Sequence, residues 1–138
     1  MMKKIKIILD TNIWISYLIS KNNNQWDTLI FSDKIQIIYS EKLLNEFIEV
    51  TQRDKFRKFI SLDDLEVILN YLGDFAIFVE NIEKKYTLCR DLKDNFLLDL
   101  AVTAEADFLV TGDKDLLEIK TLENVRIISP TDFINLIL

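Results

Sequence analysis

The sequence predicts an α/β fold, a three-layer α/β/α sandwich around a mostly parallel sheet of four to five strands. Two observations support this fold class. Short, mainly apolar runs recur along the chain, as in strands that are covered on both faces. Segments of helical spacing separate these runs, and such alternation is typical of a parallel sheet with helices on both sides.

The individual elements follow from this pattern. The predicted strands are Ile5–Leu9, Ile35–Tyr39, Phe75–Val79, Phe108–Val110 and Val125–Ile128. The predicted helices cover Gln25–Phe31, Glu41–Gln52, Ser61 to about Leu72 before Gly73, Asp94–Glu105 and a last segment from Pro130. Ser40 is expected to cap the second helix, and Ser61 with Asp64 resembles a capping box for the third. Ligands are expected beyond the carboxyl ends of the strands.

The composition predicts a single domain, residues 1–138, and excludes several classes of catalytic site. Only two Gly and one Pro occur, so no linker divides the chain. The absence of His excludes a Ser-His-Asp triad, a Cys-His pair and a His-ligated zinc site. The one cysteine, Cys89, cannot form an internal disulfide and suits a reducing cytoplasm.

Charge and hydropathy narrow the range of partners. The net charge of −6 and the pI near 4.7 argue against a module that holds nucleic acid by positive charge alone, although they do not exclude a metal-dependent nuclease. No apolar run reaches the length of a membrane span, and the N terminus lacks the apolar core of a signal peptide. We therefore expect a cytoplasmic protein with no membrane partner.

Four carboxylates are candidates for one site at the carboxyl edge of the sheet. Asp10 directly follows the first predicted strand, and Asp113 follows Phe108–Val110 in the same sense. Asp94 begins a helix, where its carboxylate can accept backbone N–H groups and still face the same crevice. Glu46 lies within an amphipathic helix and can turn inward. Taken singly, an Asp at a strand end is more often a cap or turn residue, and Glu46 a solvated side chain.

Taken together, these acids predict a cation site. Like charges gathered without a His or Lys repel one another, so such a cluster persists when a cation binds it. Oxygen ligands suit Mg²⁺ or Mn²⁺, as one or two ions. Phosphodiester cleavage by water is the implied chemistry. The predicted metal ligands and catalytic residues are Asp10, Glu46, Asp94 and Asp113.

Other polar residues are weaker candidates. Asn12 and Thr111 either hydrogen-bond the metal-binding carboxylates or cap their own helix and turn. Asp115 either helps to position a second cation or is simply solvated. Asp99 is unusual among its apolar neighbours, but it lies about 140° around a helix from Asp94, so the two do not share a face.

Four motifs resemble those of one known family. They are Leu9–Asn12 after the first strand, Leu44–Phe47, Cys89–Asn95 and Leu109–Leu116, in that order. Together they are similar to the motifs of the PIN-domain family, and the match runs from about Lys4 to Phe133. Within this family, the chain most resembles small stand-alone bacterial and archaeal toxin components of toxin–antitoxin pairs.

The resemblance implies a Mg²⁺- or Mn²⁺-dependent ribonuclease, usually a homodimer that a cognate antitoxin neutralises. By this resemblance, Asn12 matches the polar residue of the family that supports the first Asp. Leu92 stands where relatives often have Pro, which leaves open whether Asp91 or Asp94 faces the metal, and the helix-start position favours Asp94. The positions that match the acidic residues of the family are Asp10, Glu46, Asp94 and Asp113.

Cations near the acids are candidates for contact with an RNA substrate. Arg53, Lys55 and Arg57 alternate with aromatic residues, which suits phosphates or a stacked base. A solvated face with the aromatic rings in the core is the favoured alternative. Lys114, beside Asp113, is the better single candidate for a phosphate contact.

Three other functions match parts of this pattern. A phosphatase of the haloacid-dehalogenase type uses a second Asp two residues after the first, where this chain has Asn12. A response-regulator receiver domain needs a Lys at the end of its last strand, where this chain has Ser129 and Pro130. A catalytically weak PIN-like module that binds RNA or protein is the third, and the intact acid set argues against it.

Overall fold

A computed structural model describes residues 3–20 and 24–138, with only the backbone of Asn24, and within these ranges a sheet of six strands forms the centre of the protein. The spatial order is β3-β2-β1-β4-β6-β5. All neighbouring strands pair in parallel except β5, which is antiparallel to β6. The strands are β1 (Ile5–Leu9), β2 (Ile35–Tyr39), β3 (Ile77–Phe78), β4 (Phe108–Val110), β5 (Thr121–Leu122) and β6 (Val125–Ile128).

The strand count corrects the predicted four to five. The predicted strand Phe75–Val79 is shorter than expected, because Phe75 still belongs to the preceding helix. The additional strand, Thr121–Leu122, was not predicted because two residues are too few to show an apolar run or an alternation. Both short strands lie at the edges of the sheet, whereas the four interior strands have the predicted bounds.

Helices cover both faces of the sheet, which confirms the three-layer architecture. Ile7 and Leu9 of β1 pack on one face with α1, α2, α3, α5 and α8, and Ile8 packs on the other face with α6 and α7. No helix within the described ranges is both long and apolar enough to cross a membrane. The helices are α1 (Thr11–Ile19), α2 (Asn24–Ile30), α3 (Glu41–Thr51), α4 (Asp54–Arg57), α5 (Leu62–Phe75), α6 (Asn95–Thr103), α7 (Lys114–Leu117) and α8 (Pro130–Ile137).

The topology opens a crevice at the carboxyl ends of β1 and β4. The chain builds β2 and β3 on one side of β1 and then returns to place β4 on the other side. At such a reversal the connections diverge, so the edge between the two strands is left uncovered. The backbone N–H of Asp10 donates to the carbonyl of Val110 at 3.0 Å, which holds the two strand ends level. Residues that directly follow β1 and β4 therefore meet at this crevice.

The caps of α3 and α5 are present as predicted, but the predicted end of α5 is wrong. Ser40 Oγ accepts the backbone N–H of Leu43 at 3.2 Å, and Ser61 with Asp64 forms a complete capping box. The helix continues through Gly73 to Phe75. Gly73 does not adopt a left-handed φ, so this glycine does not terminate the helix as the sequence suggested.

Gly73→Ala is expected to stabilise the protein. A Cβ at this position would meet no atom within 4 Å, so the substitution introduces no clash. Replacing a helical glycine reduces the backbone entropy of the unfolded chain, for a gain of about 0.5–1 kcal/mol in the free energy of unfolding. Urea unfolding measures this gain, and a loss of stability would contradict the helical assignment at residue 73.

Candidate functional site

Thr111 joins the ends of β1 and β4 at the crevice. Its side chain is fully buried, and Oγ1 donates to Asp10 Oδ2 at 2.8 Å. The same oxygen accepts the backbone N–H of Asp113 at 3.0 Å. Asp113 Oδ1 in turn accepts the backbone N–H of Asp115 at 2.8 Å, where Asp113 caps α7. Thr111 therefore orients the Asp10 carboxylate and fixes the path of the chain into Asp113.

The Asp10 carboxylate is held in a buried position, with 7% of the residue exposed. Burial raises its pKa, and the charge of Asp113 raises it further. The hydroxyl of Thr111 and the backbone N–H groups of Thr11 and Asn12 act in the opposite direction. The N–H groups do not form a helix cap of standard geometry with this side chain, so Asp10 retains capacity to bind a further ligand.

Asp94 lies beside Asp113, at the end of the 3₁₀ turn Leu92–Asp94 that leads into α6. The two carboxyl groups are close enough to share a proton. Burial, this contact and the charges of Asp10, Asp113 and Asp91 raise the pKa of Asp94 to about 7. Crowding by like charges has this effect, and a cation placed among the carboxylates would reverse it.

Glu46 joins the group from the middle of α3. Burial and the charge of Asp10 raise its pKa, whereas Thr11 and Lys42 act to lower it. The Thr11 hydroxyl lies near Glu46 but makes no hydrogen bond of standard geometry, although it is buried. A buried hydroxyl in this state costs free energy. A small rotation of Glu46, or a ligand between Glu46 and Asp10, would satisfy it.

These acids form one electrostatic group whose oxygen donors are of the kind that a divalent cation prefers. In the part of the chain that the structure describes, no Lys or Arg forms an ion pair with any of the four carboxylates. Nor, among these described residues, are three acidic side chains spaced so as to surround an ion by themselves. Mg²⁺ commonly keeps several waters and uses one or two carboxylates, so the oxygen donors fit such an ion. The four acids are Asp10, Glu46, Asp94 and Asp113.

The weaker candidates have more peripheral positions. Asn12 is exposed, and its backbone N–H rather than its side chain acts on Asp10. Asp91 Oδ1 accepts the backbone N–H of Lys93 at 3.2 Å, so this side chain caps the turn that leads into α6. Asp94 contacts Asp113. The backbone of Asp115 contacts Asp113, as described above.

Asp99 does not lie in the acid group. It belongs to a set of hydrogen bonds between α6 and the irregular segment 79–91. Residues 79–91 form neither helix nor strand. Asp99 is 6% exposed, and its Oδ1 accepts the backbone N–H groups of Lys85 and Tyr86 at 3.0 and 2.9 Å. Asn95 Oδ1 accepts the backbone N–H of Cys89 at 2.8 Å. The buried acid that the sequence left unexplained therefore fixes the backbone of this segment.

Asp99→Ala is expected to destabilise the protein by about 2–4 kcal/mol, because two backbone N–H groups lose a charged acceptor. Urea unfolding measures the loss, and hydrogen exchange at Lys85 and Tyr86 should accelerate. Asp74→Ala is the matched control, since Asp74 is exposed on α5. Equal stability of the two variants would show that the Asp99 contacts do not hold the segment.

The predicted RNA-contacting cations occupy two separate positions. Lys114 is exposed and directly follows Asp113. The other three lie at or beside α4, past the end of α3, and the first of them is about 10 Å along the helix axis from Glu46. One of these forms an exposed ion pair with Glu49 at 3.5 Å, which contributes little to stability. These three residues are Arg53, Lys55 and Arg57.

Comparison with known proteins agrees with the geometry of the crevice. A family model described as a PIN domain matches residues 6–115, which include all four acids. The uncharacterized protein MJ1680 of Methanocaldococcus jannaschii is 30% identical over 137 residues, covering 93% of this chain and 87% of the archaeal protein. The matched region spans β1 to the start of α7 and thus the whole crevice. The chain belongs to the PIN-domain family.

Proposed function

We propose that this protein is a metal-dependent endoribonuclease that hydrolyses RNA phosphodiester bonds. PIN domains are nucleases in general, and the family match supports this class of activity. The single observation that carries the proposal is the convergence of four acids at the switch point of the sheet, none of which forms an ion pair with a described Lys or Arg. The raised pKa of Asp94, to about 7, reflects the same crowding. Such a group loses its mutual repulsion when a divalent cation binds.

In this proposal, the four acids bind the cation and Thr111 orients one of them. Asp94 and Asp113, which lie in contact, and Asp10 would hold Mg²⁺ or Mn²⁺, with Glu46 completing the group from α3. When bound, the cation neutralises charge on the scissile phosphate and activates water. Thr111 keeps the Asp10 carboxylate in one orientation through its 2.8 Å hydrogen bond, so less conformational freedom is lost on binding.

Purified protein and a single-stranded RNA provide the direct test. We expect cleavage in Mn²⁺ or Mg²⁺ and none in EDTA, with internal cuts visible as fragments shorter than the substrate. The same oligonucleotide made of DNA is the control for substrate class. Intact RNA in both metals, with a folded protein that binds either ion, would contradict the proposal.

We further propose that the protein acts in the cytoplasm as the toxin of a toxin–antitoxin pair, as a homodimer restrained by a cognate antitoxin. The resemblance to small stand-alone toxins supports this role. Induced expression in a bacterial host should arrest growth, and the Asp94→Asn variant should not. Co-expression of a protein encoded beside this chain should restore growth. Unimpeded growth at high expression of active enzyme would remove the toxin role and leave the nuclease proposal in place.

A catalytically weak RNA- or protein-binding module is the second candidate. It is favoured by the absence, among residues 3–20 and 24–138, of three acids spaced to surround an ion. Such a module would bind RNA in EDTA and in Mn²⁺ with equal affinity and leave it uncut. The endoribonuclease would instead bind more tightly when the cation offsets the charge of the four carboxylates.

A further inference from the structure

A large cleft lies between the start of α3, residues 79–91 and the start of α6, the helix that directly follows Asp94. Its volume is about 530 Å³, which is within the range of sites that hold small ligands. Three lysines line it, and its apolar lining includes two half-buried aromatic rings, Tyr86 and Phe96. We call this feature the lysine cleft, after Lys42, Lys84 and Lys85.

The charge of the lysine cleft contrasts with that of the whole protein. The chain carries a net charge of −6, yet three exposed lysines and one buried acid, Asp99, line this cavity. Within the described residues, no carboxylate lies within 4 Å of any of the three ammonium groups. Lys42 instead lies over the ring of Phe96, at 4.7 Å from the centroid. These cations are therefore available to an anionic ligand.

Lys42 connects the lysine cleft with the acid group. It lines this cleft and also the cavity that Glu46 borders, and its charge acts on the Glu46 carboxylate. On the other side, Asn95 lines the cleft directly after Asp94. The cleft therefore adjoins the acid group at two points, Lys42 and Asn95.

The apolar lining and the lysines together match the chemistry of a nucleotide. Tyr86, Phe96 and Ile82 offer apolar surface to a base, and the exposed side chain of Leu92 extends that surface toward Asp94. Aromatic surface beside cations is the usual means of binding single-stranded nucleic acid without strict sequence preference. A purely apolar partner would leave the ammonium groups unpaired.

Residues 79–91, which form one wall of the lysine cleft, have a fixed backbone although they form neither helix nor strand. The backbone of Lys85 and Tyr86 is fixed by Asp99, and the chain at Cys89 is fixed by Asn95. Both anchors belong to α6, the helix that directly follows Asp94. The backbone of Lys85 is thus positioned relative to Asp94 by one helix, whereas Lys42 is positioned by α3.

We propose that the lysine cleft binds nucleotides of a single-stranded RNA that flank the phosphate held at the four acids. This inference rests on the proposed nuclease function for its choice of ligand. The phosphates draw Lys42 and Lys85 away from the rings of Phe96 and Tyr86, over which they lie in the free protein, and also contact Lys84, so that a base lies against the two rings.

The test compares Lys84→Gln/Lys85→Gln with the control Lys3→Gln/Lys4→Gln in the full-length protein. Both variants remove two adjacent, exposed charges, but Lys3 and Lys4 precede β1, at the edge of the sheet opposite the acids. The probe is a short fluorescein-labelled oligouridylate in EDTA, with binding followed by anisotropy over a range of salt concentrations. The hydrogen bonds to Asp99 use backbone N–H groups, so the first variant is expected to keep the fold, which thermal melting verifies.

The cleft variant should bind the RNA about tenfold more weakly at about 0.1 M salt, with a slope of log affinity against log salt that is shallower by about 1.4. The control should match wild type. Unchanged affinity and slope in the cleft variant, or no binding by the wild type, would overturn the assignment and favour a protein partner. Cleavage is measured in parallel with Mn²⁺. If the cleft variant binds RNA more weakly but the wild type cuts no RNA, the cleft assignment is supported and the nuclease proposal is rejected. If the wild type cuts RNA but the cleft variant binds as tightly as wild type, the nuclease proposal is supported and the cleft assignment is rejected.

Discussion

Asp113→Asn, Asp94→Asn and Asp10→Asn are each expected to reduce RNA cleavage by more than about 100-fold. Loss of a residue that only orients a metal ligand typically costs 10–100-fold, so loss of a ligand should cost at least that much. The free energy of unfolding should stay constant or rise, because each substitution removes one like charge from the crowded group. Initial rates in Mn²⁺ and urea unfolding in EDTA measure the two effects on the same preparations.

Asp33→Asn is the matched control for these variants. Asp33 is exposed and precedes β2, at the edge of the sheet opposite the crevice, so its rate and stability should match wild type. A variant that cleaves RNA at the wild-type rate would remove that aspartate from the mechanism. A variant that loses both activity and fold would show instead that the aspartate has a structural role, as a cap or a turn residue.

Mg²⁺ or Mn²⁺ is expected to stabilise the protein in a pH-dependent manner. The pKa of Asp94 lies at about 7, against an ordinary value of 3.8. Between these values the folded metal-free protein binds more protons than the unfolded chain, so its stability falls as pH rises through this window. A cation requires the deprotonated carboxylates, so the stabilisation that it supplies increases as pH rises past 7.

Thermal melting at pH 6 and pH 8 tests this linkage. At ten times its dissociation constant, a cation adds about 1.4 kcal/mol, or about 5 °C in Tm for a chain of this length. The metal-induced increase in Tm should be larger at pH 8 than at pH 6. Asp94→Asn should reduce this increase, and it should also reduce the loss of stability that the metal-free protein shows as pH rises. An identical Tm with Mg²⁺, Mn²⁺ or EDTA at pH 8 would argue strongly against a cation site.

The sheet and the proximity of the acids were predictable because they follow from local patterns. Each interior strand is a short apolar run, and an acid placed after β1 or β4 must lie at the carboxyl edge, whatever the helices do. Asp10 and Asp113 could therefore be placed together from the sequence. Their role as metal ligands stays a prediction, as does that of Glu46, whose position on α3 alone did not distinguish it from a solvated residue.

The remainder of the site depends on contacts that leave no pattern in the sequence. Asp99 binds backbone N–H groups of a segment 13 and 14 residues earlier in the chain, and a backbone donor has no sequence signature. In the sequence, Lys42 is an ordinary exposed helix residue. Its place in the cleft depends on α6 and residues 79–91, which fold against the start of α3. The end of α5 was not predictable because glycine commonly follows a helix, whereas here the helix continues through Gly73 to Phe75, whose ring contacts that of Tyr71.

The attachment of residues 79–91 has a consequence for how substrate preference can change. Asp99 and Asn95 accept hydrogen bonds from backbone N–H groups at positions 85, 86 and 89. Every amino acid except proline supplies such an N–H group. Of the side chains at these positions, only that of Lys85 is exposed and free to vary, whereas Tyr86 and Cys89 pack against the core. If the lysine cleft binds RNA as proposed, exchange of exposed side chains such as those of Lys84 and Lys85 would therefore alter the preferred RNA and leave the carboxylates unchanged.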